Sequence, residues 1–241
     1  MFVLLLLLAG AERFAAAQSP ALAAPAPVEL RYAVVLDAAH GGNNLGALLE
    51  AEQDEKSFVL NFTNILDARL RGLGIDVIVT RDGDVDLTGD ARALSMNHAQ
   101  AAACISIHAT PSGNGVHLFT SAQSPVSNST SSSAPSASSS TTAAPSQRTF
   151  LAWQNTQAAY LTQSLRLESE ISTALAHEQI PTLLGRATLM PLESAACPAI
   201  AIEIAPLHVN TSVTDAKYQQ KIVDALASAL IAWRADWRMQ P

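Results

Sequence analysis

The sequence predicts an α/β fold: a three-layer α/β/α domain around a largely parallel, mixed central sheet. Three observations lead there. Short apolar runs alternate with longer segments whose apolar residues recur at helical spacing. Polar residues stand directly after several of the runs, where open α/β sheets carry their ligand sites. The chain has 241 residues, room for one large domain or two small ones.

Charge and composition exclude some functions. The 14 Lys+Arg against 21 Asp+Glu give a formal charge of −7, which argues against a binder of nucleic-acid phosphates. Charged residues make up 15%, below the roughly 25% of average soluble chains. Two cysteines are too few for a disulfide scaffold or a Cys-rich zinc site.

Part of the charge deficit lies in two segments outside the expected core. The N-terminus carries an apolar run of about ten residues, shorter than the roughly 20 of a spanning helix. Small residues follow at Ala15-Ala16-Ala17 and Ala21-Leu22-Ala23. This layout predicts a signal peptide over 1–23, cleaved near 17 or 23, and a periplasmic or secreted protein without stable membrane insertion. The alternative is an apolar helix packed on the domain. The second segment, 121–149, is read as a disordered Ser/Thr-rich insertion; Ser121 to Ser146 alone holds 12 Ser, 3 Thr and no charge. The domain is therefore expected in two stretches, 28–120 and 150–238.

The elements follow in order. Tyr32 to Leu36 reads as a buried strand ending at Asp37. Asp54 or Glu55 opens a helix with Phe58, Phe62, Ile65, Leu66 and Leu70 on one face, closed by Gly72 and Gly74. Ile75 to Val79 is the next strand and Arg92 to Ala101 the next helix. Strands are expected at Cys104 to Ile107, Val116 to Phe119 and Ala199 to Ile202. Gln157 to His177 carries Leu161, Leu165, Ile171 and Leu175 at helical spacing. Tyr218, Ile222, Leu226, Leu230 and Trp233 mark a closing helix.

The expected chemistry sits at the carboxyl ends of the strands. His40 follows the first strand, His108 directly follows Ile107, and Glu203 ends Ala199 to Ile202. Glu55 opens the first helix on the same rim. Two His and one carboxylate, with a fourth position open, make a catalytic zinc site. The other carboxylate is then free to handle protons. Each residue alone has a blander reading. A single His near a strand end is commonly a hydrogen-bonded structural residue, and Glu55 could simply favour a helix dipole. Glu203 between Ile202 and Ile204 is less bland, because a carboxylate among apolar strand residues is costly to bury unpaired.

These residues, in this order, resemble the zinc-dependent N-acetylmuramoyl-L-alanine amidases of the amidase_3 group. The resemblance rests on Asp37-Ala38-Ala39-His40-Gly41-Gly42 with Gly46-Ala47, then Glu55-Lys56, Thr80-Arg81-Asp82 and Arg92. Met96-Asn97, Ser106-Ile107-His108-Ala109, Gly115-Val116, Pro198 to Glu203 and Tyr218-Gln219 complete it, so that it runs from about residue 32 to 235. It implies a single zinc ion held by His40, Glu55 and His108, with Glu203 as the catalytic carboxylate. It also implies peptidoglycan as substrate, cut at the amide between N-acetylmuramic acid and L-alanine.

Three positions depart from the pattern. Ala38-Ala39 replaces Pro-Gly before the first His, Asn44 replaces an acidic residue, and Ala205-Pro206 follows Glu203 in place of Gly-Phe. The alternatives are another zinc hydrolase on this scaffold, such as a peptidase, or a non-catalytic wall-binding or regulatory relative. Cys104 and Cys197 stand at similar distances before His108 and Glu203; they either pair or remain as buried thiols. His98, His117, His177 and His208 are read as structural or surface residues. No residue identifies an activating partner.

Overall fold

Alternation along the central strands decides which side of the sheet carries chemistry. The computed structural model describes residues 32–50, 53–125, 153–208 and 211–237. The expected signal peptide and most of the expected insertion lie outside these residues. The described chain runs β1 (Ala33–Ala38), β2 (Leu48–Glu50), β3 (Gln53–Asp54), α1 (Glu55–Gly72), β4 (Asp76–Val79), α2 (Gly89–Ala99), β5 (Ala103–Ala109) and β6 (Val116–Ser121). A 3-10 segment over Trp153–Ala159 leads into α3 (Leu161–His177), β7 (Thr182–Ala187), β8 (Ala199–Ile204) and α4 (Ala216–Trp237).

The main sheet has the order β4-β1-β5-β8-β6-β7. Strands β4, β1, β5 and β8 are mutually parallel. β6 runs antiparallel to β8, and β7 pairs parallel with β6, so the last two strands are reversed. Val34, Leu36, Ile105, Ile107, Ile200, Ile202, Val116 and Leu118 point to one face and join the large core with α1, α3 and α4. Val35, Cys104 and Ala199 point to the other face and form a small second core with Met96 of α2 and Leu192. That second core covers only part of its face. Asp37, Ser106, His108, Glu203 and His117 share the parity of the second face and lie further along it.

The helices are held at identifiable points. Asp54 caps α1 by accepting from the Ser57 backbone N–H, and Thr88 caps α2 by accepting from that of Ala91. Trp233 of α4 is fully buried and donates its indole N–H to the Ala102 carbonyl at 2.9 Å. Tyr218 donates to the Ala205 carbonyl at 2.9 Å, and burial raises its pKa.

Several expectations need correction. Ile65 and Leu165 are exposed rather than buried. Each lies about 100° around its helix from the centre of the buried arc, and Val59, Thr63 and Leu167 fill those arcs instead. The helix expected from Gln157 divides, because the buried Gln157 side chain donates to the Ala195 and Cys197 carbonyls and accepts from Ser164. Ser121, expected as the first residue of the insertion, is the last of β6, and its hydroxyl donates to Glu193 at 2.8 Å. β7 has no counterpart in the expected elements. It is an edge strand with Leu183 and Leu184 both exposed, so it lacks a readable alternation.

Cys104 of β5 and Cys197, just before β8, are joined in a disulfide with Cα atoms 6.2 Å apart. The bridge spans 93 residues and braces the two strands that carry His108 and Glu203. Replacing both cysteines by Ala is expected to lower the unfolding free energy by about 2–4 kcal/mol. Denaturant melts of the double variant, and of the parent chain with and without reductant, check this. A midpoint insensitive to reductant would contradict it.

Candidate functional site

A buried ion pair builds the floor of the site. Asp37 ends the apolar part of β1 and is fully buried. Its carboxylate accepts from Arg92 Nη1 at 2.6 Å, Thr80 Oγ1 at 2.5 Å and Ser106 Oγ at 2.8 Å. Arg92 Nη1 also reaches the Ala38 carbonyl at 2.6 Å, and Nη2 donates to the His40 carbonyl. Arg81 donates to the Ala38 and Ala39 carbonyls, both at 2.9 Å, and to that of Lys56 at 2.8 Å. Burial and the nearby Arg92 charge lower the Arg81 pKa. Two guanidinium groups thus grip three successive carbonyls and fix the loop that presents His40.

This grip explains why Ala38-Ala39 is accommodated. The left-handed backbone falls on His40 at φ 59° and on the two glycines after it, not on Ala39. Ala39 also donates its backbone N–H to the Ile107 carbonyl at 3.1 Å. Asn44 still performs a bonding role without a charge. Its side-chain oxygen accepts from His40 Nδ1 at 2.9 Å and from the Gly46 N–H at 3.2 Å. After Glu203, Ala205 and Pro206 exchange backbone hydrogen bonds of 2.9 Å with Gly115.

His40, Glu55 and His108 come together as the sequence suggested. One ligand atom from each lies within 4.8 Å of the others. Glu55 Oε1 is 3.0 Å from His40 Nε2 and 3.1 Å from His108 Nδ1. Its other oxygen accepts the Ala47 N–H at 2.9 Å. Burial pushes the Glu55 pKa up, but donors from His108, His40, Ala47 and Ala109 outweigh it and hold the carboxyl well below its ordinary range. The hydrogen bond to Glu55 raises the His40 pKa, against a smaller opposing effect of burial. Gly46 makes this approach possible. With φ at +69°, a Cβ there would stand 2.6 Å from Glu55 Oε2 and 2.8 Å from His40 Cδ2.

The donor set fits a zinc ion. It offers two imidazole nitrogens and one carboxylate oxygen, the composition of several catalytic zinc sites. The remaining atoms of His40 and Glu55 are already tied to Asn44 and Ala47, which orients the first set.

His108 and Glu203 are not beyond the strand ends, as the sequence reading placed them. Both lie within their strands, each one residue before the last. They are register partners across β5 and β8, so they stand side by side on the same face. His117 is the register partner of Glu203 on the other side, in β6. Its Nδ1 lies 2.8 Å from Glu203 Oε2. His117, read as structural or surface from the sequence, is therefore part of the site. The alternation Val116-His117-Leu118 does turn it away from the core. What the sequence lacks is the antiparallel register that brings it to Glu203.

Two cavities meet at His108. One of about 180 Å³ is bounded by Asp37, His40, Asn44, Arg92 and Met190. The other, about 210 Å³, is bounded by Phe119, Leu189, Ala201 and Glu203. A substrate laid across His108 would meet polar groups on one side and mainly apolar ones on the other.

Two imidazoles and a carboxylate, beside a second carboxylate outside that set, form the arrangement used by metal-dependent hydrolases. The family model of N-acetylmuramoyl-L-alanine amidase, Amidase_3, matches residues 34–232, and the chain belongs to that family. Its enzyme class is accordingly that of a peptidoglycan amidase. No curated protein sequence matches the chain.

Solved structures share the fold. An N-acetylmuramyl-L-alanine amidase from Mycobacterium smegmatis is 20% identical, with a TM-score of 0.64 over 85% of this chain and 97% of its own. An N-acetylmuramoyl-L-alanine amidase from Clostridium difficile 630 is 19% identical, with a TM-score of 0.63 over 85% and 97%. The CwlD amidase from Clostridioides difficile, solved in complex with the GerS lipoprotein, is 18% identical, with a TM-score of 0.54 over 86% and 100%. At these identities the likeness speaks to the fold.

Removing Arg92 strands the Asp37 carboxylate in the interior. Arg92→Ala is expected to cost about 3–5 kcal/mol of stability, as breaking one side of a buried pair does. Urea melts test it. A loss under about 1 kcal/mol, the scale of a surface pair, would mean that the pair does not anchor the loop.

Proposed function

We propose that the chain is a zinc-dependent amidase in which His40, Glu55 and His108 hold the ion and Glu203 is the catalytic carboxylate. One observation carries this reading: a two-His, one-Glu set within 4.8 Å, with Glu203 in register beside one of its members. A zinc ion held by these three residues would supply Lewis acidity, polarising the scissile carbonyl and lowering the pKa of water.

The chain's own groups do the rest. Asn44 and Arg92 hold the His40 loop so that its Nε2 faces Glu55. Water adds to the lactyl carbonyl carbon while Glu203 takes up its proton. Glu203 then delivers that proton to the amide nitrogen as the carbon–nitrogen bond breaks. The products are the lactyl carboxylic acid and a stem peptide with a free L-alanine amine. Water's elements are divided between the two, so no further reagent is needed.

We place the protein outside the cytoplasmic membrane. The Cys104–Cys197 disulfide suits an oxidising compartment, and the apolar N-terminal run has the layout of an export signal. No helix among the described residues is long and apolar enough to cross a membrane.

The first test is metal content of the purified protein beside His108→Ala. About one zinc per chain, lost in the variant, is the expected result. Glu203→Gln should retain the metal and lose turnover by about 10²–10⁴-fold, read as new amino ends in a peptidoglycan digest. Normal digestion by Glu203→Gln would remove its assigned role. Release of shortened peptides instead of intact stems would favour a peptidase.

Metal affinity should also depend on pH. His40 holds its proton to a higher pH than the ordinary value of 6.5, and a cation must displace that proton. Affinity is therefore expected to rise with pH, by about tenfold per unit while His40 stays protonated. The same proton stabilises the fold at low pH and is lost as pH rises through the raised His40 value. Zinc titrations between acid and neutral pH check the sign. Equal affinity throughout would contradict it.

A further inference from the structure

We infer that His117 is a positioning residue for Glu203, holding one carboxylate oxygen so that the other serves as the proton acceptor. The inference rests on the catalytic reading of Glu203 given above. The geometry that supports it is independent of any metal.

The contact is built from three sides. Strand register places His117 opposite Glu203, so the two side chains leave the sheet together. His117 Nδ1–H donates to Glu203 Oε2 at 2.8 Å. Among the described residues, Glu203 Oε1 has no hydrogen-bond partner. The imidazole is the better-packed partner, with its side chain 13% exposed against 33% for Glu203. The carboxylate is therefore held by the more rigid group.

The ring is also kept from turning over. Phe119, two residues along β6, meets it edge-on with centroids 6.4 Å apart. On the far side, the Gly113 backbone lies so close that an added Cβ would be 2.7 Å from His117 Cε1 and 2.9 Å from Nε2. Gly113 has φ +108°, which glycine adopts freely and other residues resist. The loop before β6 thus packs against the Nε2 edge and leaves Nδ1 facing Glu203.

The chemical consequence is specific. A carboxylate free to rotate offers either oxygen in many orientations, and only some of them point at the reacting water. One fixed N–H donor removes most of that freedom and commits the second oxygen to the cleft. The same arrangement, a polar group orienting the group that performs the chemistry, is common around metal-ligating side chains. Here it orients the proton carrier.

Two measurements test this. The first is the imidazole ¹⁵N spectrum of His117 in the full chain with labelled histidine. The expected signature is a protonated Nδ1, weakened in Glu203→Ala. An Nε2-only tautomer in the parent chain would overturn the pairing. The second compares His117→Leu with His117→Asn on purified peptidoglycan, at equal zinc content. Leu fills the space without a donor, whereas Asn can present an N–H close to the position of Nδ1. The expected result is a loss in kcat of about 10–100-fold for Leu, with KM within about twofold, and substantial recovery for Asn. Gly113→Ala, which crowds the ring without touching Glu203, should lower kcat in the same way.

Unchanged kcat in His117→Leu, or equal losses in Leu and Asn, would overturn the inference while leaving the proposed amidase intact. A parent chain that digests no peptidoglycan would overturn the proposed function instead. The ¹⁵N signature would then decide the His117–Glu203 pairing on its own.

Discussion

The Asp37 carboxylate, buried at the end of β1, is the constraint on which the site depends. A lone charge there would be costly, so the chain surrounds it with Arg92, Thr80 and Ser106. Those partners come from α2, the segment after β4, and β5. Satisfying one carboxylate therefore fixes three parts of the chain relative to β1. Arg92 has donors left over, and they reach the carbonyls of Ala38 and His40. The group that neutralises the interior charge is thus also the group that shapes the loop carrying the first imidazole. Structure and chemistry are coupled through a single guanidinium.

The rest of the site follows from the difference between the two faces of the sheet. One face is covered by three helices and is mainly apolar. The other is covered only in part, by α2 and the short turn around Leu192. Polar residues can occupy the uncovered part without being stranded, and the period of two along each strand selects which ones. Ser106 and His108 fall there from β5, Ala201 and Glu203 from β8, and His117 and Phe119 from β6. A one-residue slip of β8 would turn Glu203 into the apolar core and bring Ile202 or Ile204 into the cleft.

Much of this was legible in the residues. The buried runs at Val34–Leu36 and Ala199–Ile202, and the helical spacing of Tyr218 through Trp233, identified the layers. His40, Glu55, His108 and Glu203 stand out in the sequence by their positions beside the strands; the structure gathers the first three within 4.8 Å and sets Glu203 in register beside His108. What escaped was information carried by pairing alone. β7 has no alternation because an edge strand need not bury one side. His117 reads as structural or surface in the sequence because only the reversal of β6 against β8 brings it to Glu203. Gln157 reads from the sequence as the start of the long helix, but it lies in the 3-10 segment before it, because its side chain is committed to carbonyls about forty residues away. The loss of glycine at Ala39 carried less weight than the sequence implied, since the left-handed turn begins one residue later, at His40.

The disulfide has a bearing on the life of the protein among proteases. Cys104 and Cys197 enclose the whole Ser/Thr-rich stretch in a covalent ring. A cut anywhere inside that ring opens a loop without releasing a fragment. β6, which carries His117, would stay tethered to β8 by the bridge as well as by the sheet. A nicked chain would migrate as one species until reduced and as two afterwards. The ring therefore keeps both halves of the site on one molecule even after a cut between β6 and α3.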